Sequence, residues 1–187
     1  MKYKNITISG RVCTGTSTLS QLLTKKIGWQ HYNAGQFFRD YCREHNLTLE
    51  KASDRPDSLA REVDLGVRHN LQTKQNQIME AWLSGFMAQG VEGVLKVLLV
   101  CEDSLRIDRL VNRDGITVDE AKIKIKQREY ENAKKWTRVY QKEWQLWLPK
   151  DKQKPFDFWR PDLYDLVIDT YSNSKEETLK KVMEVLC

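Results

Sequence analysis

Cysteine is sparse in this chain. Its four cysteines, Cys13, Cys42, Cys101 and Cys187, are widely and irregularly spaced over 187 residues, with no C-x-x-C pair. That excludes a disulfide scaffold and gives no zinc-site spacing. Reduced thiols in a cytoplasm are the expectation. The three histidines, His31, His45 and His69, lack the spacing of metal ligands. No Ser-His-Asp or Cys-His arrangement stands out. No apolar run approaches the roughly 20 residues that span a bilayer, so no membrane partner is expected. A strand entered within five residues of the N-terminus leaves no room for a signal peptide, which again makes a cytoplasmic protein the expectation. Internal repeats and low-complexity tracts are missing too.

What is present is an ordinary globular composition, 40% hydrophobic and 30% charged. The length suits one domain with a real core. A net charge of +5 favours anionic partners such as nucleotides or nucleic acid, although a surface of solubilising lysines gives the same balance.

The strongest local pattern is ITISGRVCTGTSTLSQLL, residues 6–23. Alternation at Ile6 and Ile8 predicts a short strand. The loop Gly10-Arg11-Val12-Cys13-Thr14-Gly15 follows, and Thr16-Ser17-Thr18 opens a helix with Leu19, Leu22 and Leu23 on its apolar face. Strand, Gly-rich loop and helix start together cradle phosphate, because backbone N–H groups converge and the helix dipole adds positive charge. The pattern G-x-x-x-x-G-K-[ST] is met except that Thr16 replaces the lysine. Ser17 stands where a Mg²⁺-binding hydroxyl belongs. The competing account is a tight turn whose Ser and Thr residues only cap the helix.

Further along, Gly28 is a candidate C-cap. Residues 29–35 read as a short strand and turn, 36–45 as a helix, and Thr48 as the start of another short helix. Leu59, Val63 and Val67 set a helix over 58–72. A weak strand at 77–79 ends at Glu80. VLKVLLVC, 94–101, is nearly continuous in apolar residues, as central parallel strands are. Helices follow over 104–112 and, capped by Thr117 with Glu120, from 118 to about 144. Residues 145–161 are irregular, 163–168 form a last strand, and Ser174 with Glu177 caps a final helix. Strands alternating with helices predict an α/β fold with a parallel sheet covered on both faces. Its ligand would sit at the carboxyl ends of the strands, near Asn33, Glu80, Cys101 and Asp169.

Arginines form the second signal. Arg106, Arg109 and Arg113 share a helix face, and Arg128 and Arg138 follow in a stretch, 122–160, with twelve Lys/Arg against five Asp/Glu. Guanidinium forks suit phosphate oxygens; a solvated basic helix is the plainer account. Arg39, one turn into its helix, can face an anion across the sheet. Asp64 and Arg68, at i and i+4, can read a base or form a helix ion pair. Trp136, Trp144, Trp147 and Trp159 lie in the basic stretch. Such residues can stack single-stranded nucleic acid, but packing within a helical lid is the preferred account.

Taken together, these residues resemble the archaeal-type cytidylate kinases, a branch of the P-loop nucleoside monophosphate kinases. The resemblance is carried by Gly15-Thr16-Ser17-Thr18 and by Asn33-Ala34-Gly35-Gln36-Phe37-Phe38-Arg39. Asp64 with Arg68, then Arg106, Arg109, Arg113, Asp114 and Gly115, continue it in order. Arg128-Glu129 with Lys135, and Tyr164 to Thr170, complete it. It departs from the family at Glu80-Ala81-Trp82, where the family has Glu-Gly-Arg, and in a longer, more aromatic stretch from Trp144 to Pro161. The resemblance implies a single P-loop kinase domain over 1–187, with a monophosphate-binding segment near 33–70 and a lid near 114–160. It implies transfer of the ATP γ-phosphoryl to CMP or dCMP, with Mg²⁺. Residues 10–18 would hold the donor phosphates, with Ser17 on the metal. Asn33, Gly35 and Arg39 would receive the acceptor phosphate, Asp64 and Arg68 the base, and Glu80 would orient metal-bound water. Arg109, Arg128 and Arg138 would close over the transferring group. Trp82, where the family carries arginine, offers instead a neutral face that stacks on the base; the alternatives are a site that has lost one contact, or core packing. A monomer with a nucleoside monophosphate as partner is expected, and nucleic acid is not. The alternatives are a P-loop kinase for another small acceptor, and a non-catalytic nucleotide or single-strand binder.

Overall fold

The computed structural model describes residues 2–151 and 154–186; Cys187 lies outside them. Five parallel strands form one sheet in the order β2-β3-β1-β4-β5. β1 (Asn5–Gly10) is central and buried at all six positions. β3 (Gln77–Glu80) and β4 (Val94–Val100) flank it, with β2 (Gln30–Asn33) and β5 (Leu166–Asp169) outside. Parallel neighbours need crossovers, and α1 (Thr16–Ile27), α2 (Ala34–Glu44), α3 (Asp57–Thr73) and α4 (Ser84–Met87) supply them in the first half. α5 (Asp103–Asp114), α6 (Val118–Val139) and α7 (Gln141–Trp147) join β4 to β5, and α8 (Lys175–Leu186) ends the described chain.

Both sheet faces are covered, as the continuous apolar strands predict. Along β4 the side chains alternate: Leu95, Val97 and Leu99 pack with Leu19 and Leu23 of α1 and Val182 and Leu186 of α8. Val94 and Leu98 face the opposite core, with Phe86, Trp136, Tyr140, Trp144 and Phe158. Trp136 and Trp144 are buried there, and Trp82, Trp147 and Trp159 pack against them. The aromatic stretch is therefore a core, which favours the packing account over a nucleic-acid platform.

Several boundaries differ from the sequence reading. The short helix expected at Thr48 is a 3-10 turn at Ala52–Asp54. The helix expected to run from 118 to about 144 breaks at Tyr140, whose φ of −110° and ψ of 21° leave the helical range. α4 was not expected at all. The last strand begins at Leu166, because a 3-10 turn occupies Pro161–Leu163. The caps at Gly28, Thr117–Glu120 and Ser174–Glu177 form as the sequence indicates. Among the described residues, no helix is long and apolar enough to cross a membrane.

Register sets where the chemistry can lie. Ile8 pairs with Glu80, and Glu80 with Asn33, at the carboxyl edge of three adjacent strands. Gly10 ends β1 beside Leu99, and Asp169 ends β5 beside Val100.

Candidate active site

The loop after β1 turns tightly because of its glycines. A Cβ on Gly10 would lie 2.3 Å from Thr14 Oγ1 and 2.8 Å from the Leu99 carbonyl oxygen. Gly15 has a φ of +98°, a conformation that L side chains rarely adopt. Cys13 also has a positive φ, 61°. Arg106 fixes this loop from below: buried, it donates from Nε to the Val12 carbonyl oxygen at 2.8 Å and pairs with Glu129. Burial raises the Cys13 thiol pKa, so that side chain stays protonated at neutral pH.

α1 has no side-chain cap. The Thr16 and Ser17 hydroxyls donate instead to Glu80 Oε1, at 3.1 and 2.5 Å. His31 Nε2 lies 2.9 Å from the other carboxylate oxygen, and Asn33 Nδ2 donates to it at 2.8 Å. The helix-capping account of these hydroxyls therefore fails. Their orientation serves a buried carboxylate on the neighbouring strand.

A cavity of about 780 Å³ opens above this point. Arg11, Val12, Cys13 and Gly15 to Thr18 line it, as do Asn33, Gly35, Arg39, Glu80, Trp82, Arg109 and Arg128. Gly10 and Thr14 shape the loop from beneath without lining the cavity; Thr14 Oγ1 donates to the Arg11 carbonyl oxygen at 3.0 Å. Arg109 donates to the Cys13 carbonyl oxygen at 3.0 Å and to Thr170 Oγ1 at 3.2 Å, joining the loop to the end of β5.

Positive charge concentrates on the lining of this cavity. Burial, then the repulsion of Arg39 and Arg113, pushes Arg128 down to about 10. Arg39 is lowered by burial and by Arg113. An anion placed among these guanidinium groups would relieve that repulsion.

A smaller cavity of about 60 Å³ adjoins, sharing Gly35, Ala81, Trp82 and Arg128 with the first. Its walls include Phe38 and Trp136, and Asp64 is its acidic member. Asp64 is buried, accepts the Tyr140 hydroxyl at 2.7 Å, and is raised by burial to about 7.

Two expected site residues are placed elsewhere. Arg68 does not line either cavity: its Nη1 donates to the Met87 and Gln89 carbonyl oxygens at 2.6 and 2.8 Å, and its guanidinium lies 4.0 Å from the Trp147 ring centre. It closes the end of α4, so the expected ion pair or base reading with Asp64 does not form. Arg138 lies ten residues beyond Arg128 on α6, roughly 15 Å along the axis. It forks onto Asp57 at 2.5 and 3.1 Å at the start of α3. Lys135 is likewise spent on the Ala52 and Arg55 carbonyl oxygens. Conversely, Arg113 and the segment Tyr171 to Lys175 with Thr178 line the main cavity and were not among the expected site residues. The spacing of Arg106, Arg109 and Arg113 held the signal for Arg113; the segment after β5 offered only its position at a strand's carboxyl end.

Comparison with known proteins places the chain clearly. Residues 5–172 match the cytidylate kinase-like family. A cytidylate kinase of Pyrococcus furiosus is 33% identical over 170 residues, covering 88% of this chain and 79% of that protein. One from Methanopyrus kandleri is 32% identical over 185 residues, covering 92% and 88%. Among solved structures, an uncharacterized protein from Eubacterium ventriosum superposes with a TM-score of 0.67 at 9% identity, covering 98% of each chain. A gluconokinase from Sinorhizobium meliloti gives 0.60 at 11% identity, covering 99% and 92%. These two show the fold alone.

Proposed function

The chain belongs to the cytidylate kinase-like family, and from that premise we propose that it transfers the γ-phosphoryl group of ATP to CMP or dCMP. The observation that carries this reading is the meeting of a phosphate-type loop, one buried carboxylate and four arginines from outside that loop (Arg39, Arg109, Arg113 and Arg128) on a single cavity. Two polyanions must approach each other for this reaction, and such a wall lowers the cost of bringing them together.

In this reading an oxygen of the acceptor phosphate attacks the γ-phosphorus, the bond to the β–γ bridging oxygen breaks, and ADP leaves. The backbone N–H groups of residues 11–18 hold the donor phosphates. Arg39, midway along α2 with its guanidinium beside Gly35, holds the acceptor phosphate. Arg109, Arg113 and Arg128 bear on the transferring group and fix the two reactants in line. The slot around Asp64, Phe38 and Trp136 takes the base. Residues near 33–70 form the acceptor segment and those near 114–160 the lid, within one domain. Ser17 and Glu80 would supply two hard oxygen ligands, a donor set that fits Mg²⁺. When bound, the ion supplies neutralisation of phosphate charge.

The test is ADP release from ATP and Mg²⁺ with CMP, dCMP, UMP, AMP and non-nucleotide acceptors presented singly. Turnover with CMP or dCMP above the others is expected. Turnover confined to a non-nucleotide acceptor, or none with any pyrimidine monophosphate, would overturn the reading.

A further inference from the structure

The cavity arginines differ in what holds them. Arg39 donates from Nε and Nη2 to Gln36 Oε1 at 3.1 and 3.0 Å. Arg109 is tied to the Cys13 and Thr170 backbone. Arg113 donates to Asp114 at 2.7 Å. The Arg128 guanidinium has no ion-pair and no hydrogen-bond partner among the described residues; the charges that reach it most strongly are those of Arg39 and Arg113, ahead of the Glu50 carboxylate. Glu129, its neighbour in sequence, points the other way, to Arg106 and Arg11. What lies against Arg128 is a ring: its guanidinium carbon is 4.8 Å from the centre of Trp82.

Trp82 is itself held firmly. Its ring makes edge contacts with Trp136 at 5.4 Å and Trp159 at 5.6 Å. Trp159 Nε1 donates to the Trp82 carbonyl oxygen at 3.2 Å. Two well-packed indoles thus fix a third, half-buried one at the seam between the two cavities.

We propose that Trp82 is a positioning residue whose indole face holds Arg128 at the mouth of both cavities with its charge left intact. A carboxylate at this place would hold the guanidinium as well but would cancel the charge the site needs. The negative face of an aromatic ring attracts the cation without adding a formal charge. A neutral tryptophan beside a phosphate-binding wall is thereby accounted for: it contributes through Arg128. This rests on the phosphotransferase reading for the role of Arg128, but the Trp82–Arg128 contact itself does not.

The test is a double-mutant cycle of Trp82→Leu and Arg128→Gln in the full chain, with Trp82→Phe as the conservative variant. Trp82→Leu is expected to lower kcat by about 3- to 30-fold, the range of a lost cation–π contact, with the acceptor KM nearly unchanged. The same change in the Arg128→Gln background should cost almost nothing further, and Trp82→Phe should recover most of the loss. A rise in acceptor KM at unchanged kcat would mean that Trp82 stacks on the base and would overturn the proposal, as would additive losses or no effect. A second readout is independent of turnover and of whether Trp82→Leu folds. Arg128→Gln should change the tryptophan emission of the otherwise native protein and leave that of Trp82→Phe unaltered. Equal changes in both backgrounds would overturn the contact. If the native protein phosphorylates no pyrimidine monophosphate, the functional reading fails while the emission measurement still decides the contact.

Discussion

Ser17 Oγ donates to Glu80 Oε1 at 2.5 Å, joining the first turn of α1 to the last residue of β3 on the floor of the cavity. Thr16 donates to the same oxygen, while His31 and Asn33 meet the other. Four polar groups thus hold one buried carboxylate in a single orientation. The arrangement is costly for stability alone, since an apolar contact between helix and strand would need no ion. It is economical if the carboxylate and the hydroxyl share a cation.

The first prediction follows from that sharing. Ser17→Ala leaves three groups on Glu80, so the melting temperature should stay within about 5 °C of the native value. Turnover should fall at least about 10-fold, and the Mg²⁺ concentration for half-maximal rate should rise. Steady-state rates over a Mg²⁺ titration, with calorimetric melting, check this. Unchanged Mg²⁺ dependence with a large loss of stability would make the contact purely structural.

Arg39 tests the acceptor side. Among the described residues its guanidinium is hydrogen-bonded only by Gln36 on its own helix, so removing it should disturb little else. Arg39→Ala should lower kcat/KM for the acceptor by roughly 10- to 150-fold, the worth of a charge-assisted bond. ATP binding, followed by calorimetry without acceptor, should change little. An equal loss of ATP affinity would place Arg39 on the donor.

Arg68 makes the opposite prediction. Two carbonyl oxygens and the Trp147 ring consume its guanidinium, so Arg68→Ala should cost about 2–3 kcal/mol of stability. For a chain of this size that is about 4–12 °C in melting temperature. The acceptor KM should stay within about 2-fold. A raised KM at unchanged melting temperature would return Arg68 to the base site.

The fate of Arg68 shows where sequence reasoning stops. Asp64 and Arg68 stand at i and i+4, and that spacing correctly puts them on one helix face. It does not say what each side chain meets. Asp64 found Tyr140, 76 residues away in sequence. Arg68 found the end of α4, a four-residue helix of buried Ser84, Gly85, Phe86 and Met87 too short to show a period. The arginine face of α5 was legible for the same reason, but depth was not: Arg106 is buried under the loop, whereas Arg109 and Arg113 reach the cavity. By contrast β1, its loop and β4 were plain, because the apolar runs and the two glycines are local requirements. The Trp82–Trp136–Trp159 cluster joins three distant segments and left no local trace.

The last prediction concerns Asp64, whose surroundings oppose its ionisation. Burial raises its pKa from 3.8 to about 7, and the Tyr140 hydroxyl and Lys135 offset only part of that. The folded chain therefore holds this proton more tightly than the unfolded chain does. Below about pH 4 both states are protonated and Asp64 contributes no pH dependence. Between about 4 and 7 the unfolded state releases the proton first, so the Asp64 contribution to stability falls as pH rises, by up to about 1.4 kcal/mol per unit. Above about 7 both states are ionised and the penalty is constant. Asp64→Asn keeps an acceptor for the Tyr140 hydroxyl and removes the titration. Urea unfolding at pH 4.5 and pH 8 should show the variant close to the native protein at the lower pH and more stable than it at the higher. A difference between the two proteins that does not change with pH would mean that Asp64 ionises in the folded chain as readily as in water, with Lys135 near enough to pair with it.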